Sequence, residues 1–112
     1  FYHRELELFY ATRLPGLELR AFNRGIAGDT ADGALRRLEW DCLSARPTVV
    51  TVMLGMNDVG RDLHAPGASG PHVEKQRAER VRAHGENLRA IVRRLREAGA
   101  RVVLLSPTPY DD

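Results

Sequence analysis

Residues 48–54, with the sequence TVVTVML, decide the fold of this chain. They are β-branched and almost continuously apolar, which is typical of a parallel strand that is buried on both faces. Residues 101–105, RVVLL, have the same character and follow a long helical stretch. Because neighbouring parallel strands need a crossover connection, the two segments predict a parallel sheet whose strands are joined by a helix.

Hydrophobic periodicity predicts the helices that flank these strands. The crossover segment has one apolar stripe and ends at Gly99, which is a typical C-terminal stop. The stripe consists of Val81, His84, Leu88, Ile91, Val92, Leu95 and Ala98. Upstream, Thr30 can cap another amphipathic helix that extends to Ala45 and is closed by Pro47. Both helices can therefore cover the sheet.

The first 22 residues predict one more helix and one more strand. Residues 2–13 have apolar side chains at three-to-four spacing, and Pro15 and Gly16 end the pattern. Residues 17–22 alternate between apolar and polar side chains, as an edge strand does. The complete order of α, β, α, β, α, β predicts an α/β fold in three layers, with helices on both faces of a parallel sheet.

Length and composition exclude several classes of protein. The chain has 112 residues, which suffice for one small domain but not for two. It has no apolar run of the roughly 18 to 20 residues that a membrane span needs. The net charge is only +2, with Glu interleaved among the Arg residues of 77–96, so nucleic acid is not an expected partner. The single cysteine, Cys42, excludes an internal disulfide framework and leaves the cellular compartment open.

Two loops at predicted strand ends are the places to search for chemistry, because ligands of parallel α/β sheets bind beyond the carboxyl ends of the strands. One is NRGIAGDT at residues 23–30, which leads into a helix N-terminus. The other is GMND at residues 55–58, directly after the most apolar strand. A nucleotide-binding interpretation of the first loop fails, because no Lys precedes Thr30 and the dinucleotide glycine spacing is missing.

Together, the NRGIAGDT and GMND loops resemble blocks II and III of the SGNH, or GDSL-type, ester hydrolases. The resemblance covers nearly the whole chain and includes RPTVV at residues 46–50. It implies a flavodoxin-like architecture, of which residues 1–112 would form the central part of a single domain. We therefore expect an incomplete three-layer α/β/α fold, without the first strand and the C-terminal region.

The resemblance also implies roles for six residues of the two loops. The backbone N–H of Gly28 and the side-chain amide of Asn57 match the two oxyanion donors that the family uses besides its nucleophile. The supporting residues of these loops are Gly25, Asp29, Gly55 and Asp58. No cofactor and no metal are implied.

The nucleophile and the general base of the family have no match in this sequence. The chain contains no Gly-Asp-Ser, and Ser44, Ser69 and Ser106 do not have the context of the nucleophile. The Asp-x-x-His motif is also missing, and none of the four histidines can replace it. These histidines are His3, His64, His72 and His84. We expect the chain to supply an oxyanion hole and to be inactive by itself.

The expected activity of the parent protein is hydrolysis of small acyl esters, such as acetyl groups on carbohydrates, through an acyl-enzyme. The alternative is a noncatalytic α/β module that binds a carbohydrate or an acyl group. A Gly-Asp-Ser upstream and an Asp-x-x-His downstream in the complete gene product would decide for the enzyme. Because strands with unpaired edges tend to associate, we also expect the exposed sheet edges to favour self-association.

Overall fold

The computed structural model describes residues 2–107. Three helices and two strands form its regular structure, with short 3₁₀ turns at Leu43–Ala45 and Arg61–His64. In chain order, the elements are α1 (Tyr2–Arg13), α2 (Ala31–Asp41), β1 (Val49–Val52), α3 (Pro71–Glu97) and β2 (Arg101–Leu104). The α/β class is confirmed.

The two strands form a parallel pair with α3 as the crossover helix. Val49 lies opposite Arg101, and Val52 lies opposite Leu104. The N–H of Leu105 donates to the Val52 carbonyl at 2.9 Å and extends the ladder beyond the last paired residue. This is the parallel pair that the two apolar segments predict.

Helices α2 and α3 pack against each other and against one face of the sheet. The core consists of Ala31, Leu38, Val52, Ile91, Leu95 and Ala100, which are nearly inaccessible to solvent. An ion pair between Arg94 and Glu39, with 2.9 Å between nitrogen and oxygen, also links the two helices. The core therefore fixes the N-terminus of α2 relative to the carboxyl end of β1.

The other face of the sheet is open, so the predicted burial of β1 on both faces is wrong. Val49 is 56% exposed and Met53 is 50% exposed, while Val103 of β2 is exposed as well. Helix α1 reaches this face at Tyr2, whose hydroxyl lies 2.7 Å from the Thr51 hydroxyl, but α1 contains no buried residue. The difference arises because α2 and α3 both pack on the same face.

The predicted edge strand at residues 17–22 is also wrong, since this segment forms no strand in the described part of the chain. Its backbone is tied to α1 instead, where the Ala21 N–H donates to Glu7 Oε1 at 3.1 Å. A strand needs a hydrogen-bonded neighbour, and an alternating sequence does not supply one. The alternation of residues 17–22 is therefore insufficient to form a strand.

The cap of α2 agrees with the prediction, whereas the end of the helix does not. Thr30 Oγ1 accepts a hydrogen bond from the Gly33 N–H at 3.1 Å, as expected of an N-cap. The α-helix ends at Asp41, before the predicted end at Ala45, and Arg46 has a left-handed backbone with φ of 49°. After Asp41 the chain continues as the 3₁₀ turn Leu43–Ala45, and Pro47, which has no backbone N–H, cannot extend a helix beyond it.

Within residues 2–107, no helix combines the length and the hydrophobicity that a membrane span requires.

We expect Leu95→Ala to lower the free energy of unfolding of the 112-residue chain by about 2 to 5 kcal/mol. The side chain of Leu95, a residue of α3, is completely buried against α2 and the sheet, so its truncation leaves a cavity. Leu8→Ala is the matched control, because Leu8 is 67% exposed and its truncation should change the stability by no more than about 0.5 kcal/mol. Urea denaturation measures the free energy of unfolding of both variants. An equal loss of stability in Leu95→Ala and Leu8→Ala would contradict this description of the core.

Candidate active site

The GMND loop forms a tight turn at the carboxyl end of β1. The Gly55 carbonyl accepts a hydrogen bond from the Asp58 N–H at 3.1 Å. Gly55 is buried and has φ of 131°, a backbone conformation that residues with a side chain rarely adopt. The glycine therefore allows the chain to turn directly behind the strand and to present Asn57 and Asp58.

The NRGIAGDT loop contains two turns before α2 begins. Asn23 Oδ1 accepts a hydrogen bond from the Gly25 N–H at 3.0 Å, which is an Asx turn. The Ile26 carbonyl then accepts from the Asp29 N–H at 3.2 Å, and Gly28 occupies the third position of this turn with φ of 80°. A positive φ at that position is the requirement of a type II turn.

Two hydrogen bonds join the GMND loop to the NRGIAGDT loop and α2. The Asn57 side-chain amide donates through Nδ2 to the Asp29 carbonyl at 2.9 Å. Asp58 Oδ1 accepts from the N–H of Ala31, the first residue of α2, at 2.9 Å. The structure thus brings Asp29, Asn57 and Asp58 together, although the sequence separates the two loops widely.

A cleft of about 170 Å³ lies between the loops. Its lining includes Asp29, Gly55 and Asn57, with Ile26 and Pro107 among its apolar walls. The Asn57 amide carries two N–H groups, of which one is used by the Asp29 carbonyl, so the second is available to a ligand oxygen. The cleft therefore offers a small apolar space beside a fixed amide donor.

Not all of the predicted site residues line this cleft. Gly28 is exposed and lies outside the lining, directly before Asp29. Gly25 lines a separate cleft of about 290 Å³ along β1, together with Tyr2 and Val52. Asp58 is buried beneath the turn. No group of three or more His, Cys, Asp or Glu residues between residues 2 and 107 could hold a metal ion.

Comparison with known proteins identifies the family. Residues 5–112 match the GDSL-like lipase/acylhydrolase family. The chain belongs to this family. The resemblance of the NRGIAGDT and GMND loops to GDSL-type hydrolases is thereby confirmed.

Two relatives of this GDSL-like chain have known activities or structures. The chain is 30% identical over 93 residues to an acetylxylan esterase of Geobacillus stearothermophilus. This alignment covers 83% of the chain and 40% of the esterase. It is 34% identical to a solved structure described as a gut microbial diltiazem-metabolizing enzyme, with a TM-score of 0.80. That match covers 98% of the chain and 24% of the solved structure's chain. The chain thus spans less than half of the length of either relative.

Arg37 holds the NRGIAGDT loop of this GDSL-like chain against α2. Its guanidinium donates from Nη2 to Asp29 Oδ2 at 2.7 Å and from Nη1 to Asp41 Oδ2 at 2.8 Å. Nη1 also donates to the Arg24 carbonyl at 2.9 Å. The hydrogen bond with Asp41 raises the pKa of Arg37, and Asp29 adds to this shift, whereas partial burial opposes it. Arg37 therefore carries its positive charge at neutral pH.

Sequence reasoning missed Arg37 and His84 as residues that contact the site. The pairing of Arg37 with Asp41 one helical turn away follows from their spacing, but its bonds to Asp29 and Arg24 do not. His84 has a place in the apolar stripe of α3, yet its Nδ1 lies 3.3 Å from Asp58 Oδ1. No signal in a single sequence pairs residues across such distances.

We expect Arg37→Ala to destabilise the chain by about 1 to 3 kcal/mol, because it removes the charged partner of the largely buried Asp29 carboxylate. Arg36→Ala is the control on the neighbouring position of the same helix. The side chain of Arg36 is 78% exposed and pairs only with a half-exposed Asp32, so its loss should cost less than about 0.5 kcal/mol. Urea denaturation of both variants measures the difference, and similar midpoints would show that the Arg37 network does not stabilise the fold.

Proposed function

We propose that the cleft between the two loops is the oxyanion site of a serine ester hydrolase. The observation that carries this proposal is the hydrogen bond from Asn57 Nδ2 to the Asp29 carbonyl, which fixes a neutral amide donor at the carboxyl end of β1. Ester hydrolysis passes through a tetrahedral intermediate, and donors that are already oriented stabilise its negatively charged oxygen. In this proposal the second N–H of Asn57 is the donor from the cleft lining, and the backbone N–H of Gly28, which lies outside the lining next to Asp29, is the other donor.

The other predicted site residues support these donors. Gly25 and Gly28 allow the turns of the NRGIAGDT loop, and Asp29 accepts from Asn57 through its backbone while its carboxylate binds Arg37. Gly55 forms the turn behind β1. Asp58 binds the first N–H of α2. Of these contacts, those of Asn57 and Asp58 limit the movement of the GMND loop relative to the NRGIAGDT loop and α2.

We further propose that this chain does not supply the nucleophile or the general base. The sequence contains neither Gly-Asp-Ser nor Asp-x-x-His. The Ser44 hydroxyl donates to the Trp40 carbonyl at the end of α2, away from the cleft. In the complete enzyme a serine hydroxyl would attack the ester carbonyl while its proton passes to the base. The tetrahedral intermediate would then collapse, the alcohol would leave with the proton returned by the base, and the acyl-enzyme would remain. Water would then release the acid.

The proposed substrates are small acyl esters, with acetylated carbohydrates as the leading class. The acetylxylan esterase relative supports an acetyl group on a sugar polymer. A cleft of about 170 Å³ with apolar walls has room for a short acyl chain. The open side of the cleft would accommodate the alcohol.

We expect the complete gene product that contains residues 1–112 to hydrolyse 4-nitrophenyl acetate, and the 112-residue chain alone not to do so. The difference follows from the separation of the oxyanion donors from the nucleophile. Release of 4-nitrophenol, with and without a serine-directed phosphonate, measures the activity and its dependence on serine. Phosphonate-sensitive turnover by the 112-residue chain would refute the proposed division of roles.

In the complete gene product, we expect Asn57→Ala to reduce kcat about 10²-fold to 10³-fold, with a modest change in KM. The amide contact strengthens when the charge develops on the ester oxygen, so its loss affects the transition state more than the bound substrate. Asn87→Ala, on α3 and outside the cleft, is the control and should retain the kcat of the wild type. An unchanged kcat in Asn57→Ala would exclude Asn57 from the reaction.

A further inference from the structure

His84 faces the GMND loop, although its position in the sequence belongs to the apolar stripe of α3. Its side chain is 23% exposed, and Nδ1 lies 3.3 Å from Asp58 Oδ1. The far edge of the ring lies over Gly55, where a β-carbon would be 3.5 Å from Cε1 and from Nε2. The imidazole therefore contacts the turn that presents Asn57.

Asp58 is a buried carboxylate that has few partners. Its side chain is 7% exposed, and Oδ1 accepts the Ala31 N–H while Oδ2 has no hydrogen-bond partner. Nδ1 of His84 is likewise buried without a formed hydrogen bond. A buried carboxylate is costly unless donors compensate for the lost water. A small rotation of the imidazole would let its Nδ1–H donate to the Asp58 carboxylate, and both groups would then have a hydrogen-bond partner.

The position of Asp58 determines where Asn57 can reach. Asp58 binds the first residue of α2, and the adjacent Asn57 binds the residue two positions before it, Asp29. The two hydrogen bonds run side by side between the same two segments. If the Asp58 carboxylate turns away from Ala31, the GMND loop loses this attachment to α2, and the Asn57 amide is held less firmly.

We infer that His84 is a positioning residue of this site. Its Nδ1–H holds the Asp58 carboxylate on the Ala31 N–H, and through this contact it fixes the Asn57 amide against the NRGIAGDT loop. The consequence for catalysis rests on the proposed function of Asn57. The positioning itself does not depend on any reaction.

Two substitutions separate the hydrogen bond of His84 from the packing of its ring. His84→Asn places an amide donor near the position of Nδ1 and removes the ring. His84→Phe keeps a ring over Gly55 and removes the donor. Asn and Phe have similar helix propensities, so α3 should tolerate both equally. His72→Asn and His72→Phe are the matched controls, because His72 lies in the first turn of α3 and is exposed.

The measurements use the complete gene product that contains this chain. We expect His84→Phe to lower kcat for 4-nitrophenyl acetate about 10-fold to 100-fold with KM within about twofold, since a displaced donor affects the transition state. Amide hydrogen exchange at Ala31 should accelerate, and the NMR signals of the Asn57 side-chain amide should shift. His84→Asn should retain values close to those of the wild type in all three measurements.

The opposite pattern would be wild-type kcat, exchange and NMR signals in His84→Phe and changed values in His84→Asn. It would show that the packing of the ring matters and would overturn the inference. Wild-type behaviour of both variants would overturn it as well. If His84→Phe does not fold, His84→Gln replaces it, because its amide lies near the Nε2 position and should not rescue Asp58. If the protein hydrolyses no ester, hydrogen exchange at Ala31 and the Asn57 signals still test the positioning, so failure of the proposed function is distinguishable.

Discussion

Two parallel hydrogen bonds, from Asn57 to the Asp29 carbonyl and from the Ala31 N–H to Asp58, hold the candidate site together. They can form only because the N-terminus of α2 lies beside the carboxyl end of β1. That placement follows from the core, in which α2 and α3 pack on the same face of the parallel strands. The apolar core therefore fixes the distance between the loops, and the two hydrogen bonds fix their orientation.

Two nitrogen-containing side chains approach this arrangement from opposite sides. Arg37 binds the Asp29 carboxylate from within α2, and His84 approaches the Asp58 carboxylate from α3. Both carboxylates lie near the N-terminus of α2, where the helix dipole favours negative charge. The site thus combines the buried Asp58 and the partly buried Asp29 carboxylates with a helix end, the guanidinium of Arg37 and the imidazole of His84. Such an arrangement restricts movement of the Asn57 amide, which the proposed oxyanion role needs.

Within residues 2–107 the sheet has only two strands, and helices cover one of its faces. It therefore differs from a closed three-layer domain, in which helices cover both faces. Val49, Met53 and Val103 expose apolar surface on one side of the strands. An exposed apolar face combined with unpaired backbone groups favours contact with another strand, a helix or another copy of the chain. In contrast, the site described above lies at the carboxyl end of β1 and depends on the packed face, where α2 and α3 meet.

Local signals in the sequence are sufficient to predict the three helices, the two parallel strands, the Thr30 cap and the two glycine loops. Periodicity, capping and motif residues act over a few positions, so a single sequence contains them. The sequence did not determine which face of the sheet is covered, whether residues 17–22 find a strand neighbour, or which partners Asp29 and Asp58 have. These features arise from tertiary packing, because burial, strand pairing and the contacts of Arg37 and His84 depend on segments that folding brings together from distant parts of the chain.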